Sequence, residues 1–196
     1  MKTRGKLIVI SGPSGVGKST ITRQLIERLD DAWLSVSVTT RPQAVTERNG
    51  REYWFISREQ FRERIEEGLL LEYAEVFGNF YGTPRDKTEE ALNAGKTVIL
   101  EIDVQGAKQV KAMYPQATMI FILPPSGQAL AERMTHRGRE SGAVAARRLG
   151  GASSEIAAAE GVYDHRVTND DLEQAIREII RIVRGAPRID RESDTN

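Results

Sequence analysis

The chain has 196 residues, enough for one domain that buries roughly 70% of its unfolded surface. Its 28 basic and 28 acidic residues cancel, which argues against a general nucleic-acid binder or a polybasic membrane-adhesion surface. At 39% hydrophobic and 29% charged it is neither disordered nor membrane-embedded, and the lack of cysteine excludes disulfides, thiolate catalysis and cysteine-based zinc sites.

The first ten residues carry a few charges and then a short apolar run with no small-residue cleavage site. They read as a strand rather than a signal peptide. No apolar run approaches the roughly 20 residues of a membrane span, so a soluble cytoplasmic protein is expected. Lys6–Ser11 reads as a buried strand, and Ile21, Leu25, Ile26 and Leu29 keep helical spacing from Lys18 onward. Short strands are expected at Ser35–Val38, Tyr53–Ile56, Leu70–Val76 and Asn79–Tyr81, with turns at Asn49-Gly50 and Gly78-Asn79. One helix interrupts them, opened by a capping box of Ser57 and Gln60 and stopped by Gly68.

Alternation of strands and helices then resumes. Thr83 is suited to cap a helix with Pro84 at its first position, running to Gly95. Buried strands follow at Thr97–Ile102 and Met119–Leu123, each leading into a helix, the second started by Ser126. A short strand at Arg166–Thr168 precedes a last helix striped by Leu172, Ile176, Ile179, Ile180 and Val183, and a polar tail follows Gly185. No internal repeat is present.

The strongest local signal is Gly12-Pro13-Ser14-Gly15-Val16-Gly17-Lys18-Ser19, a match to G-x-x-x-x-G-K-[ST] between a strand and a helix. Glycines let main-chain N–H groups curl around phosphate oxygens, and the helix N-terminus adds partial positive charge. Lys18 would reach the β- and γ-phosphates and Ser19 would hold Mg²⁺, so the chain is expected to bind a nucleoside triphosphate. Arg133, Arg137, Arg147 and Arg148 lie on and beside a glycine-containing segment. They suit either a phosphate-neutralising lid or a solvated helix face.

With that loop, Ser37-Val-Thr-Thr-Arg41, Asn49-Gly50-x-x-Tyr53-x-Phe55, Glu72-Tyr-Ala-Glu, Gly78-Asn-Phe-Tyr81-Gly82-Thr83, Glu101-Ile-Asp103-Val-Gln-Gly106, Arg133…Arg137-Gly138…Arg148-Leu149 and Asn169-Asp170-Asp171-Leu172 follow in order. The series resembles the guanylate kinase family over about residues 6–183. The resemblance implies an α/β fold: a P-loop parallel sheet flanked by helices, with a small α+β GMP-binding insertion and a helical lid. The core would comprise 4–34, 84–135 and 160–184, the insertion about 35–83, the lid about 136–159, and the tail 185–196. It implies ATP and GMP as substrates, Mg²⁺ as cofactor, and neither nucleic acid nor membrane as partner.

The resemblance also implies roles. Gly12 through Ser19, Thr20 and Asn169 would bind ATP, Asn169 beside adenine, although Asn-Asp-Asp is equally a helix N-cap. Lys18, Arg133, Arg137 and Arg148 would be catalytic. Glu72 would read the guanine edge, with hydroxyls from Ser37 and Thr83. Arg41, Tyr53 and Tyr81 would clamp the GMP phosphate, with Gly82 alongside, though Tyr53 also suits packing against Phe55. Glu101 and Asp103 would contact GMP and organise Mg²⁺, Asp103 through water, with helix capping the plainer reading of Asp103. His136 and His165 are expected at the surface, and Trp33 and Trp54 are expected to pack or lie at the surface. One departure stands out: the family's second phosphate-clamping arginine falls on Ala44, with Arg48 and Arg51 in the same loop as substitutes.

Overall fold

The computed structural model describes residues 3–135 and 155–186, which form an α/β fold with a parallel sheet between two helical layers. The five strands are β1 (Lys6–Ser11), β2 (Ala32–Leu34), β7 (Thr97–Glu101), β8 (Thr118–Leu123) and β9 (His165–Thr168), in the spatial order β2-β7-β1-β8-β9. All neighbouring pairs are parallel. Near-continuous apolar runs such as Leu7–Ile10 and Met119–Ile122 are what a sheet covered on both faces demands.

One face packs Ile8, Ile10, Ile99, Ile120 and Ile122 against α1 (Lys18–Arg28) and the last helix, α6 (Leu172–Gly185). The other packs Leu7, Val9, Val98, Leu100 and Met119 against α3 (Arg85–Asn93) and α4 (Val104–Met113). Because β1 is central, its C-terminal end delivers the Gly12–Ser19 loop to the middle of the sheet's carboxyl edge. Open parallel sheets bind ligands at that edge.

The second sheet has the order β4-β3-β6-β5, built from β3 (Val38–Thr39), β4 (Trp54–Phe55), β5 (Leu70–Val76) and β6 (Asn79–Pro84). Phe61, from α2 (Arg58–Glu66), fills its small core with Val38 and Leu70. The expected Ser57–Gln60 capping box forms. Helix α4 joins the two halves. Gln109 donates from Nε2 to the Tyr73 carbonyl at 2.7 Å and accepts from the Tyr73 N–H at 3.3 Å, taking the place of one more strand beside β5. No helix among the described residues is long and apolar enough to cross a membrane.

Several expectations need correction. The strand expected at Ser35–Val38 is mostly the link between the two sheets: β2 ends at Leu34 and β3 begins at Val38, and between them Ser35 N–H still bonds Ile99 O beside β7 whereas Ser37 O already accepts from Trp54 N. The alternating Ser-Val-Ser-Val pattern suits a strand, but long-range pairing decides where a strand starts and stops. Thr83 does not cap a helix. It lies in β6, and Pro84 stands at the start of α3 with no side-chain cap. The Thr83 hydroxyl is instead turned across the sheet, as described below. Tyr53–Ile56 shortens to Trp54–Phe55, and Asn79–Tyr81 extends to Pro84 because β6 pairs with β5 along its length.

Candidate active site

Three glycines of the Gly12–Gly17 loop occupy positive φ: Gly12 at 150°, Gly15 at 84° and Gly17 at 105°. A Cβ on Gly12 would stand 2.4 Å from the Ile122 carbonyl, and one on Gly17 would stand 2.6 Å from Asn169 Nδ2. Both positions therefore require glycine on two grounds, conformation and space. Val16 plugs the core. The helix that follows has Gly17 as its N-cap with no side-chain cap, and no acidic residue lies in its first turn. Its positive dipole end, unopposed by an acid in the first turn, therefore faces the loop and favours an anion there.

Lys18 Nζ donates to Gly12 O at 2.6 Å and Pro13 O at 3.2 Å, folded over the loop. Ser19 Oγ donates to Glu101 Oε1 at 2.7 Å, and Thr22 Oγ1 donates to Glu101 Oε2 at 3.0 Å, so the acid ending β7 bridges two side chains on one face of α1. Asp103 caps α4 by accepting from Gly106 N at 2.8 Å. Burial pushes the Asp103 carboxyl up, against backbone bonds from Gly106 and Gln105 and attraction from Lys18 that pull it down.

Asn169 is 5% exposed and does not cap α6; Asp171 does, accepting from Gln174 N. Asn169 Nδ2 donates to Val16 O at 2.8 Å, and its own carbonyl accepts from Arg133 Nη1 at 2.9 Å. This residue thus links the loop to α5 (Gly127–Thr135). Half-buried Glu155 faces the same region: burial raises its pKa, Lys18 lowers it and Asp103 raises it.

On the facing sheet, Glu72 is 4% exposed and lies directly across from Thr83 in the β5–β6 register. The buried Thr83 hydroxyl donates to Glu72 Oε1 at 2.6 Å. Gly106 makes room for the other oxygen, since a Cβ there would lie 2.1 Å from Glu72 Oε2. Burial pushes Glu72 up to about 7, opposed by the Thr83 bond and assisted by Asp103. Gly82, next to Thr83, is packed so closely that a Cβ would meet Leu70 Cδ1 at 2.9 Å.

Arg41 forms a two-pronged pair with Glu47, Nη2 to Oε1 at 2.8 Å and Nη1 to Oε2 at 3.1 Å. Its guanidinium lies 5.4 Å from the Tyr53 ring centroid and 5.6 Å from that of Phe55, and Tyr53 meets Tyr81 edge-on at 5.8 Å. Burial first, then the charges of Glu101 and others, pushes the Tyr53 hydroxyl far above its usual range and keeps it a neutral donor. Glu101 acting on Tyr53, and Asp103 on Glu72, show the two sheets' polar groups converging on one cleft.

Ser37 bounds the entry to the second sheet through its carbonyl bond to Trp54 N. Arg137, Arg148 and His136 lie outside the described residues. His165 is exposed, Trp54 is exposed and Trp33 packs on the core, as expected. Ala44 N donates to Glu47 Oε2 at 2.8 Å, so Glu47 organises both Arg41 and the loop around Ala44. Glu47, Gly106, Gln109, Thr22 and Glu155 are contributors that sequence reasoning gave no role.

The guanylate kinase family profile matches residues 4–186. The chain belongs to the guanylate kinase family. A guanylate kinase of Synechocystis sp. is 47% identical over 180 residues, covering 92% of this chain and 94% of the relative. One of Thermosynechococcus vestitus is 53% identical over 172 residues, covering 88% and 90%. The crystal structure of a guanylate kinase from Anaplasma phagocytophilum superposes with a TM-score of 0.78 at 37% identity, covering 94% of this chain and 87% of that one. In the loop around Ala44, Arg48 is exposed, and Arg51 is exposed and paired with Glu52 at 3.3 Å.

Proposed function

We propose that this guanylate kinase transfers a phosphoryl group from ATP to GMP, giving ADP and GDP, with the phosphate loop as donor site and the second sheet as acceptor site. The observation that carries this reading is a carboxylate, Glu72, buried across the cleft from that loop with acceptor capacity beyond its bond to Thr83. Guanine offers a ring N–H and an exocyclic amine side by side; adenine lacks that pair. AMP would leave the buried acid unsatisfied, and sites built for a polar partner reject its absence strongly.

Loop amides and Lys18 would hold the ATP phosphates, and Asn169 would stand by the adenine side. Arg41 and the neutral hydroxyls of Tyr53 and Tyr81 would grip the GMP phosphate. Arg133, Arg137 and Arg148 would compensate charge on the transferring group. No protein base is needed, because a nucleoside monophosphate has its second pKa near 6 and presents an ionised oxygen at pH 7. Catalysis then reduces to alignment and charge compensation.

The donor set fits Mg²⁺. Ser19 Oγ and the Glu101 carboxylate are adjacent hard oxygens, and no group of three or more His, Cys, Asp or Glu able to hold a metal occurs among the described residues. That suits an ion carried by phosphates, water and one hydroxyl. Bound there, Mg²⁺ would neutralise phosphate charge. Ser19 would be its protein ligand, with Glu101 and Asp103 acting through water. A cytoplasmic setting suits a reaction between soluble nucleotides.

ADP release with ATP, Mg²⁺ and each nucleoside monophosphate in turn tests the assignment. GMP-selective turnover is expected. Release independent of acceptor would mean an ATPase, and silence with every acceptor a binding module. Ala44 favours one competing reading, an acceptor that has drifted from GMP. On the GMP reading Ala44→Arg restores a charge-assisted contact and lowers KM for GMP about tenfold. An unchanged KM in steady-state assays would mean that the clamp is complete without it. Gly106→Ala should push the Glu72 carboxylate aside and raise KM for GMP at least about tenfold with KM for ATP little altered. Equal effects on both substrates would point to general damage instead.

A further inference from the structure

We infer that Thr22 is a positioning residue that fixes the Glu101 carboxylate for Mg²⁺-bound ATP, an inference that rests on the donor-site reading above. Thr22 is 1% exposed and lies between the core residues Ile21 and Leu25 on α1. An aliphatic side chain would pack in such a place at no polar cost, and a β-branched residue slightly lowers helix propensity. A buried hydroxyl there needs a partner.

A threonine within a helix ordinarily bonds the carbonyl one turn back, and Ser19 O stands at 3.3 Å. The hydroxyl has one proton, and the Glu101 Oε2 contact is both shorter, at 3.0 Å, and charge-assisted. Ser19 Oγ occupies the other oxygen at 2.7 Å. The two hydroxyls pin the carboxylate plane across the face of α1. The terminal torsion of a glutamate is otherwise broad. Each carboxylate oxygen keeps one further lone pair for water around a metal ion. Without the Thr22 bond, the carboxylate would be held at Oε1 alone and would turn about Ser19.

The test uses the full chain and equilibrium binding of a non-hydrolysable ATP analogue, measured by calorimetry at graded Mg²⁺ and in EDTA, without GMP. Thr22→Val keeps the shape and removes the hydroxyl. It is expected to raise the Mg²⁺ concentration at the binding midpoint about tenfold, as loss of a group that orients a metal's partner does. Affinity in EDTA and melting temperature should stay close to those of the unaltered protein. Thr22→Ser should stay within about twofold of the unaltered protein, and Thr22→Val should add no shift on a Glu101→Ala background. Should the valine variant not fold, Thr22→Ala is read the same way. An unchanged Mg²⁺ midpoint, an equal loss in EDTA, or a further shift on the Glu101→Ala background would overturn the inference. Absence of Mg²⁺-dependent binding in the unaltered protein would overturn the donor-site reading itself.

Discussion

Glu72→Ala is expected to collapse the preference for GMP over AMP, measured as the ratio of kcat/KM values, by about 10³–10⁴-fold. The size follows from where the acid stands. Glu72 is buried, fixed at one oxygen by Thr83 and given room at the other by Gly106, so a base with two adjacent donors meets a ready acceptor. A base lacking them leaves a charge or a lone pair unsatisfied in a dry site. Truncation removes both reward and penalty, so GMP loses and AMP gains. Thr83→Val should act in the same direction but far more weakly, since it takes away a neutral hydroxyl. A Glu72→Ala enzyme that keeps its base preference would move guanine recognition to other residues.

Lys18→Met should lower kcat about 10³-fold or more while leaving GMP binding nearly intact, the loss expected when a preorganised charge aimed at the transferring group is removed. In the free protein the ammonium is satisfied by Gly12 O and Pro13 O, which hold it over the loop until phosphate oxygens take over. Methionine matches its length without charge or donors. Turnover under saturating ATP and GMP, beside a GMP titration, separates chemistry from acceptor binding. A kcat loss below about tenfold would contradict the role given to this lysine.

Much of the parallel sheet was legible because buried strands announce themselves as short apolar runs. Lys6–Ser11 fell at its expected bounds, as did Leu70–Val76 in the second sheet, and the Ser57–Gln60 capping box formed as its residues required. The phosphate loop was legible for a different reason: its glycines meet local backbone demands that any sequence making the turn must meet. What stayed hidden depends on long-range neighbours. The passage from the first sheet to the second falls between Leu34 and Val38, inside a Ser-Val-Ser-Val run that alternates like a strand. Thr83-Pro84 carries genuine helix-start chemistry, and only pairing along β5 turns Thr83 toward Glu72 instead. Asn169 sits in an Asn-Asp-Asp run where any member could cap. Only the packing of β9 beside β8 brings it to Val16 and leaves the cap to Asp171. Thr22 reads as an ordinary helical residue until β7, some 80 positions later, brings Glu101 beside it.

Glu72 also ties base recognition to pH. Its carboxyl is raised from an ordinary value of 4.5 to about 7, chiefly by burial. A raised acid contributes stability that is fully present below pH 4.5 and lost as pH rises through 7, so ionising it costs the free protein stability. Guanine reverses the balance, because two donors aimed at the carboxylate favour its charged form. The decisive measurement is the ¹³C shift of the Glu72 carboxyl, assigned with Glu72→Gln, followed from about pH 5 to 9 with and without saturating GMP. The account predicts a transition near 7 in the free protein, and a carboxylate that stays ionised well below that pH once GMP is bound. Titration curves that coincide with and without GMP would contradict it.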